Sequence, residues 1–127
     1  MDNIKIQINN FAQDYFKQLD NGVDVNTLLS FFDDEFVITE GELVIDSKEM
    51  YAKWYEAVKA NILNLKHKIE EIESKHARDN VYFAKMKMHF KAETPNNDKI
   101  DVIANIHWLL RLSDEGKLAI SEYEIKP

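Results

Sequence analysis

Leu65-Lys66-His67-Lys68-Ile69-Glu70-Glu71-Ile72-Glu73-Ser74-Lys75-His76 is the stretch on which the fold turns. At helical spacing, Ile62, Leu65, Ile69 and Ile72 prolong a preceding helix as far as Lys75. The wealth of Lys and Glu favours that reading by propensity. At a period of two, Leu65, His67 and Ile69 share one face instead. Ile72, Ser74 and His76 rejoin that face if a bulge forms near Glu70 and Glu71. The residues alone leave both readings open.

The segments on either side are clearer. Upstream, Ile4, Ile8, Phe11, Ala12, Tyr15, Phe16 and Leu19 recur at helical spacing, with Asp2 as a cap and Gly22 as a left-handed stop. A short helix follows, capped by Asp24, with Val25, Leu28, Leu29 and Phe32 on one face. Glu35 to Thr39 predicts a strand, Gly41 a turn, and Leu43-Val44-Ile45 a short return strand. Asp46 and Glu49 have capping-box spacing, and the helix they open carries Tyr51, Trp54, Tyr55, Val58 and Ile62 on one stripe. Glu49 and Lys53 stand one turn apart as a favourable pair.

Downstream, Arg78-Asp79-Asn80 predicts a turn into a strand over Val81 to Glu93, with Tyr82, Ala84, Met86, Met88 and Phe90 on its apolar face. Lys85, Lys87, His89 and Lys91 form a basic row on the other face, suited to pairing with Glu70, Glu71 and Glu73 if the preceding segment is a strand. Thr94 to Asp98 is turn chemistry. A long strand over Ile100 to Leu112, a hairpin turn at Asp114-Glu115-Gly116-Lys117 and a last strand over Leu118 to Ile125 complete the chain.

The 127 residues suit one domain, residues 1–127, with enough chain for one apolar core. A formal net charge of −7 repels phosphate backbones and anionic membranes, so neither nucleic acid nor a membrane is expected as a partner. There is no cysteine, hence no disulfide or thiolate metal site. His67, His76, His89 and His107 show no metal-binding spacing, and neither a Gly-rich phosphate loop nor a serine elbow is present. His67 and His107 reach a pocket only if their strands turn that way. No metal and no cofactor are expected. The start of the chain lacks the pattern of a signal peptide, which leaves the cytoplasm as the expected location.

Three stretches carry a resemblance. Tyr15-Phe16-Lys17-Gln18-Leu19-Asp20-Asn21-Gly22 looks like the first-helix end of the nuclear transport factor two-like superfamily. Leu29-Ser30-Phe31-Phe32-Asp33-Asp34-Glu35-Phe36 resembles the L-x-x-F-x-D-D lead-in to its first strand, and Asp114-Glu115-Gly116-Lys117-Leu118 its D-G-K-I hairpin. That superfamily includes ketosteroid isomerase, the SnoaL-like polyketide cyclases, scytalone dehydratase and limonene epoxide hydrolase. The resemblance implies an α+β fold in which a strongly bent antiparallel sheet wraps as a cone around three N-terminal helices. It also makes Leu65 to His76 a strand, since the family has one there.

Further expectations come with the resemblance. The cone encloses an apolar pocket for a small molecule, and Phe36, Trp54, Tyr55, Met86, Trp108 and Tyr123 are its candidate lining. Glu40 falls where the isomerase has its carboxylate base, and Tyr15 where it has its oxyanion-stabilising phenol. At the position of the isomerase's second donor, an aspartic acid, this chain has Trp108, which counts against steroid isomerisation. Family members commonly pair through the outer sheet face, here Ile103, His107, Leu109 and Arg111, so a homodimer is expected. The fold leaves two functions open: a cofactor-independent isomerase, cyclase or lyase, or a non-catalytic binding domain.

Overall fold

The computed structural model describes residues 3–127; the proposed Asp2 cap lies outside them. Helix α1 (Asn3–Asp20) presents Ile8, Ala12, Tyr15, Phe16 and Leu19 to the core. Gly22, at φ 64°, takes the left-handed conformation that closes it. Helix α2 (Val25–Leu29) is capped by Asp24, whose carboxylate accepts from the Asn26 N–H. Strands β1 (Phe32–Glu40) and β2 (Leu43–Ile45) form a hairpin around Gly41. Strand β1 starts three residues before the expected Glu35, because Phe32 already pairs with Ile120.

Helix α3 (Lys48–Asn61) corrects one expectation. Its cap is Ser47, whose hydroxyl accepts from the Met50 N–H at 3.1 Å, and not Asp46. The Ser47 backbone is extended and its hydroxyl reaches the third helical N–H, so the helix begins at Lys48 and buries Tyr51 and Tyr55. Glu49 and Lys53 meet at 3.4 Å on the exposed side, a pair worth little in water.

The decisive stretch is extended. Helix α3 stops at Ile62, which is already in a β conformation, and Asn64 at φ 52° turns the chain away from the helix axis. Strand β3 (Leu63–Arg78) then pairs antiparallel along strand β4 (Val81–Glu93) through the Asp79-Asn80 turn. The register shift between Ile69 and Glu71 puts one unpaired residue, Glu70, in β3. This bulge keeps Ile69, opposite Met88, and Ile72, opposite Met86, on the same face. On the other face Glu71 stands opposite Lys87 and Glu73 opposite Lys85. Helical propensity therefore loses to a long ladder with apolar pairs on one side and opposite charges on the other.

Strands β5 (Lys99–Leu112) and β6 (Leu118–Lys126) complete a six-stranded sheet of order β2-β1-β6-β5-β4-β3. All neighbours are antiparallel except β1 and β6, which run parallel. The bent sheet is not closed. Strand β3 is one edge, where its bulge and its many Lys and Glu side chains discourage pairing with another chain. The helices pack on the concave face. On the convex face Phe83 and Ile103 are about half exposed. Among the described residues no helix is long and apolar enough to cross a membrane.

If Ser47 caps α3, Ser47→Ala will lower the unfolding free energy by about 1 kcal/mol. Asp46→Ala will cost less than half of that. Chemical denaturation of the two variants checks it, and equal losses would restore Asp46 as the cap.

Candidate functional site

Between the concave face and α3 lies a cavity of about 300 Å³. It occupies one end of the sheet. Strand β1 lends Ile38 and Glu40, β4 lends Met88 and Phe90, β5 lends Val102, Ala104 and Ile106, and β6 lends Tyr123 and Ile125. Glu40, Leu43 and Val102 are exposed and mark the mouth. Tyr15, Trp54, Tyr123 and Glu40 thus line the cavity, four of the eight residues singled out from sequence.

Phe36, Tyr55, Met86 and Trp108 do not line it. Phe36, Met86 and Trp108 sit on the expected face but two residues further along their strands, where α1 and the sheet close together. Phe36 packs on Phe32, with ring centroids 4.8 Å apart. Met86 is enclosed between Ile72 and Ile106 on neighbouring strands. Trp108 is stacked on Phe16 at 5.6 Å, with the Phe11, Tyr15 and Tyr123 rings edge-on around it. Its Nε1–H has no acceptor among the described residues. Tyr55, one turn after Tyr51, is buried outside the cavity lining, where its hydroxyl donates to the Val23 carbonyl at 2.7 Å.

Three phenols cluster at the inner part of the site. The Tyr15 and Tyr51 hydroxyls are hydrogen-bonded to each other at 2.6 Å. One hydroxyl donates and the other accepts, so the accepting hydroxyl keeps its own hydrogen for a third partner. Burial, reinforced by the neighbouring Tyr51 and Tyr123 phenols, holds Tyr15 well above the ordinary phenol range. Burial also raises Tyr51, partly offset by its bond to Tyr15. Tyr123 is raised by burial first, then by the Tyr51 and Glu40 charges. All three are therefore neutral hydrogen-bond donors at physiological pH.

The fourth polar group is His67. From β3 it reaches the cavity wall, with its ring held between Phe16 and Phe90 at centroid distances of 5.0 and 5.1 Å. Asp20 grips it twice. One carboxylate oxygen accepts from the His67 backbone N–H at 2.7 Å, and the other bonds Nδ1 at 2.6 Å. An ionised carboxylate only accepts, so Nδ1 must carry the hydrogen. That leaves Nε2 as the ring nitrogen with no partner among the described residues. His107, by contrast, lies on the convex face opposite Lys85 and Glu124.

Asp20 escaped the sequence reading, although one signal was available. A carboxylate in the last turn of a helix faces the negative end of its dipole, so it needs a compensating partner. Asp20 ends α1, and His67 is that partner.

The sequence matches no family model and no curated protein. Solved structures do match. A nuclear transport factor two-like superfamily protein from Salmonella enterica superposes with a TM-score of 0.85 at 13% identity, over 97% of this chain and 89% of that one. A ketosteroid isomerase-like protein from Erwinia carotovora gives 0.80 at 16%, over 98% and 96%. ActVI-ORFA from Streptomyces coelicolor gives 0.79 at 12%, over 97% and 96%. The fold is that of the nuclear transport factor two-like superfamily. At such identities the likeness extends to the fold alone.

The buried phenols couple stability to alkaline pH. Their folded-state pKa values lie above the unfolded value near ~10, so unfolding releases protons once the pH passes that value. Stability contributed by the three is fully present below about pH 10 and is lost as pH rises through the folded values. Denaturant midpoints measured from pH 8 to pH 11 should fall above about pH 10. Tyr15→Phe, Tyr51→Phe and Tyr123→Phe combined should flatten that fall.

Proposed function

We propose that this chain is a cofactor-independent acid–base enzyme, an isomerase, cyclase or lyase, acting on an apolar carbonyl compound of one or two rings. The observation that carries the reading is the His67–Asp20 pair set in the wall of an apolar cavity that also holds the Tyr15–Tyr51 hydroxyls. A cavity of about 300 Å³ is at the small end for ligand sites, which favours compact molecules over steroids.

The chemistry follows from the groups. His67 Nε2 takes a proton from the carbon next to the carbonyl, forming an imidazolium that Asp20 stabilises. The electron pair moves onto the carbonyl oxygen. A neutral phenol of the Tyr15–Tyr51 pair, with its spare hydrogen, stabilises the resulting enolate. The imidazolium then returns the proton to another carbon, or gives it to a leaving hydroxyl. Glu40, the base suggested by resemblance, is a weaker candidate because it is exposed at the mouth, whereas His67 sits in the cavity wall with its ring held by Asp20. A purely ligand-binding role is disfavoured by the convergence of polar groups inside the cavity, since a dry apolar pocket would suffice for binding.

Proton exchange on a simple ketone tests this without knowledge of the natural substrate. In deuterated water, the protein should accelerate exchange at the carbon beside the carbonyl of β-tetralone, followed by NMR. His67→Gln should lower that rate by about a hundredfold or more. Asp20→Asn should lower it too, because an amide no longer holds the ring in one tautomer. Loss of exchange in Glu40→Gln but not in His67→Gln would hand the base role to Glu40. Tight ketone binding with no exchange at all would favour the binding-domain reading.

A further inference from the structure

We infer that Tyr123 and Glu40 form a recognition pair for a neutral hydroxyl group on the bound molecule, so that the site selects hydroxylated carbonyl compounds and refuses anionic ones. This rests on the reading of the cavity as a site for a carbonyl compound, and it names a second feature that the compound carries.

The geometry comes from the single parallel pairing of the sheet. Ile38 stands opposite Tyr123, and Glu40 opposite Ile125. All four line the cavity, so they share one face. Tyr123 and Glu40 are therefore diagonal neighbours on adjacent strands, with Cβ atoms on the order of 7–8 Å apart, within reach of long side chains. The Glu40 charge is felt at the Tyr123 phenol.

Tyr123 differs from the other buried tyrosines. Tyr15 and Tyr51 satisfy each other, and Tyr55 has the Val23 carbonyl. Tyr123 as a residue is 6% exposed, and its hydroxyl has no hydrogen-bond partner among the described residues. The one fully buried side-chain polar atom left unpaired among the described residues is Trp108 Nε1, so the Tyr123 hydroxyl keeps some exposure at the cavity wall and is open to a partner inside the cavity. The Glu40 carboxylate at the mouth is an acceptor only.

A donor and an acceptor set side by side define the group between them. A hydroxyl accepts from the Tyr123 O–H and donates to the Glu40 carboxylate. An ammonium could satisfy Glu40 but cannot accept from Tyr123. A carboxylate or phosphate could accept from Tyr123 but is repelled by Glu40, and no Lys or Arg lines the cavity to offset that repulsion. The Tyr15–Tyr51 pair and His67 on β3 hold the carbonyl, so the hydroxyl belongs on the β1–β6 side of the cavity, between Tyr123 and Glu40.

Binding of three related probes, followed by fluorescence of the cavity tryptophan Trp54, tests the pair. The probes are β-tetralone, β-tetralone with a hydroxyl on the ring far from the carbonyl, and the same ketone with a carboxylate in place of that hydroxyl. The hydroxylated probe should bind about tenfold more tightly than the parent ketone. Tyr123→Phe, which removes one oxygen and keeps the ring, should reduce that preference to near parity. Continued binding of the parent ketone to the variant shows that the cavity is intact. Glu40→Gln should shrink the preference and let the carboxylate probe bind more tightly. A preference that survives Tyr123→Phe overturns the inference, as does a carboxylate probe that binds the unmodified protein as well as the hydroxylated one. In either case parent-ketone binding leaves the cavity reading standing. If none of the probes binds the unmodified protein, the cavity reading falls and takes the inference with it.

Discussion

The Asp20 carboxylate ties the end of α1 to the edge of the sheet. One oxygen takes a backbone N–H of β3 and the other takes the His67 ring, so a single side chain sets both the position of the strand and the orientation of the imidazole. Strand β3 is the outermost strand and has only one neighbour in the sheet, β4. Its hold on α1 is what folds that edge over the helix and gives the cavity a wall. The helix dipole would otherwise disfavour a carboxylate at this end. Here His67 compensates it, and the same contact leaves the other ring nitrogen, Nε2, with no partner among the described residues.

Around that joint, aromatic rings do the packing. Phe16 stacks on Trp108 and also flanks His67, while Tyr15 contacts Phe16, Phe31, Phe32, Trp108 and Tyr123 edge-on. Edge-to-face contacts of this kind fix ring orientation more sharply than aliphatic contacts of equal area. The hydroxyls of Tyr15 and Tyr51 are therefore held in place by a rigid core. The core and the cavity wall are one continuous surface, closed at one end by Trp108 and open at the other by Glu40.

Most of the fold was legible in the residues, and the places where it was not have physical reasons. Turns announced themselves through Gly22, Gly41 and Gly116, all at positive φ. Alternation along β4 and β5 assigned the buried face correctly. The stretch from Leu65 to His76 was undecidable by itself, because its apolar spacing fits a helix as well as a bulged strand. The partner strand settles it, and the partner lies outside any local window. Periodicity also gives the face of a strand but not the depth along it, which is why Met86, Phe36 and Trp108 were expected in the cavity and belong to the core behind it. The His67–Asp20 pair joins residues 47 apart in sequence, a contact that no local pattern encodes.

The Asp20 carboxylate should hold the His67 ring in one tautomer, with the hydrogen on Nδ1. Long-range nitrogen–proton NMR of the imidazole reports this directly. The expected spectrum has the hydrogen on Nδ1, strongly deshielded by the carboxylate, an unprotonated Nε2, and an Nε2 resonance that moves when β-tetralone is added. A hydrogen on Nε2, or two tautomers in exchange with no response to the ketone, would contradict it.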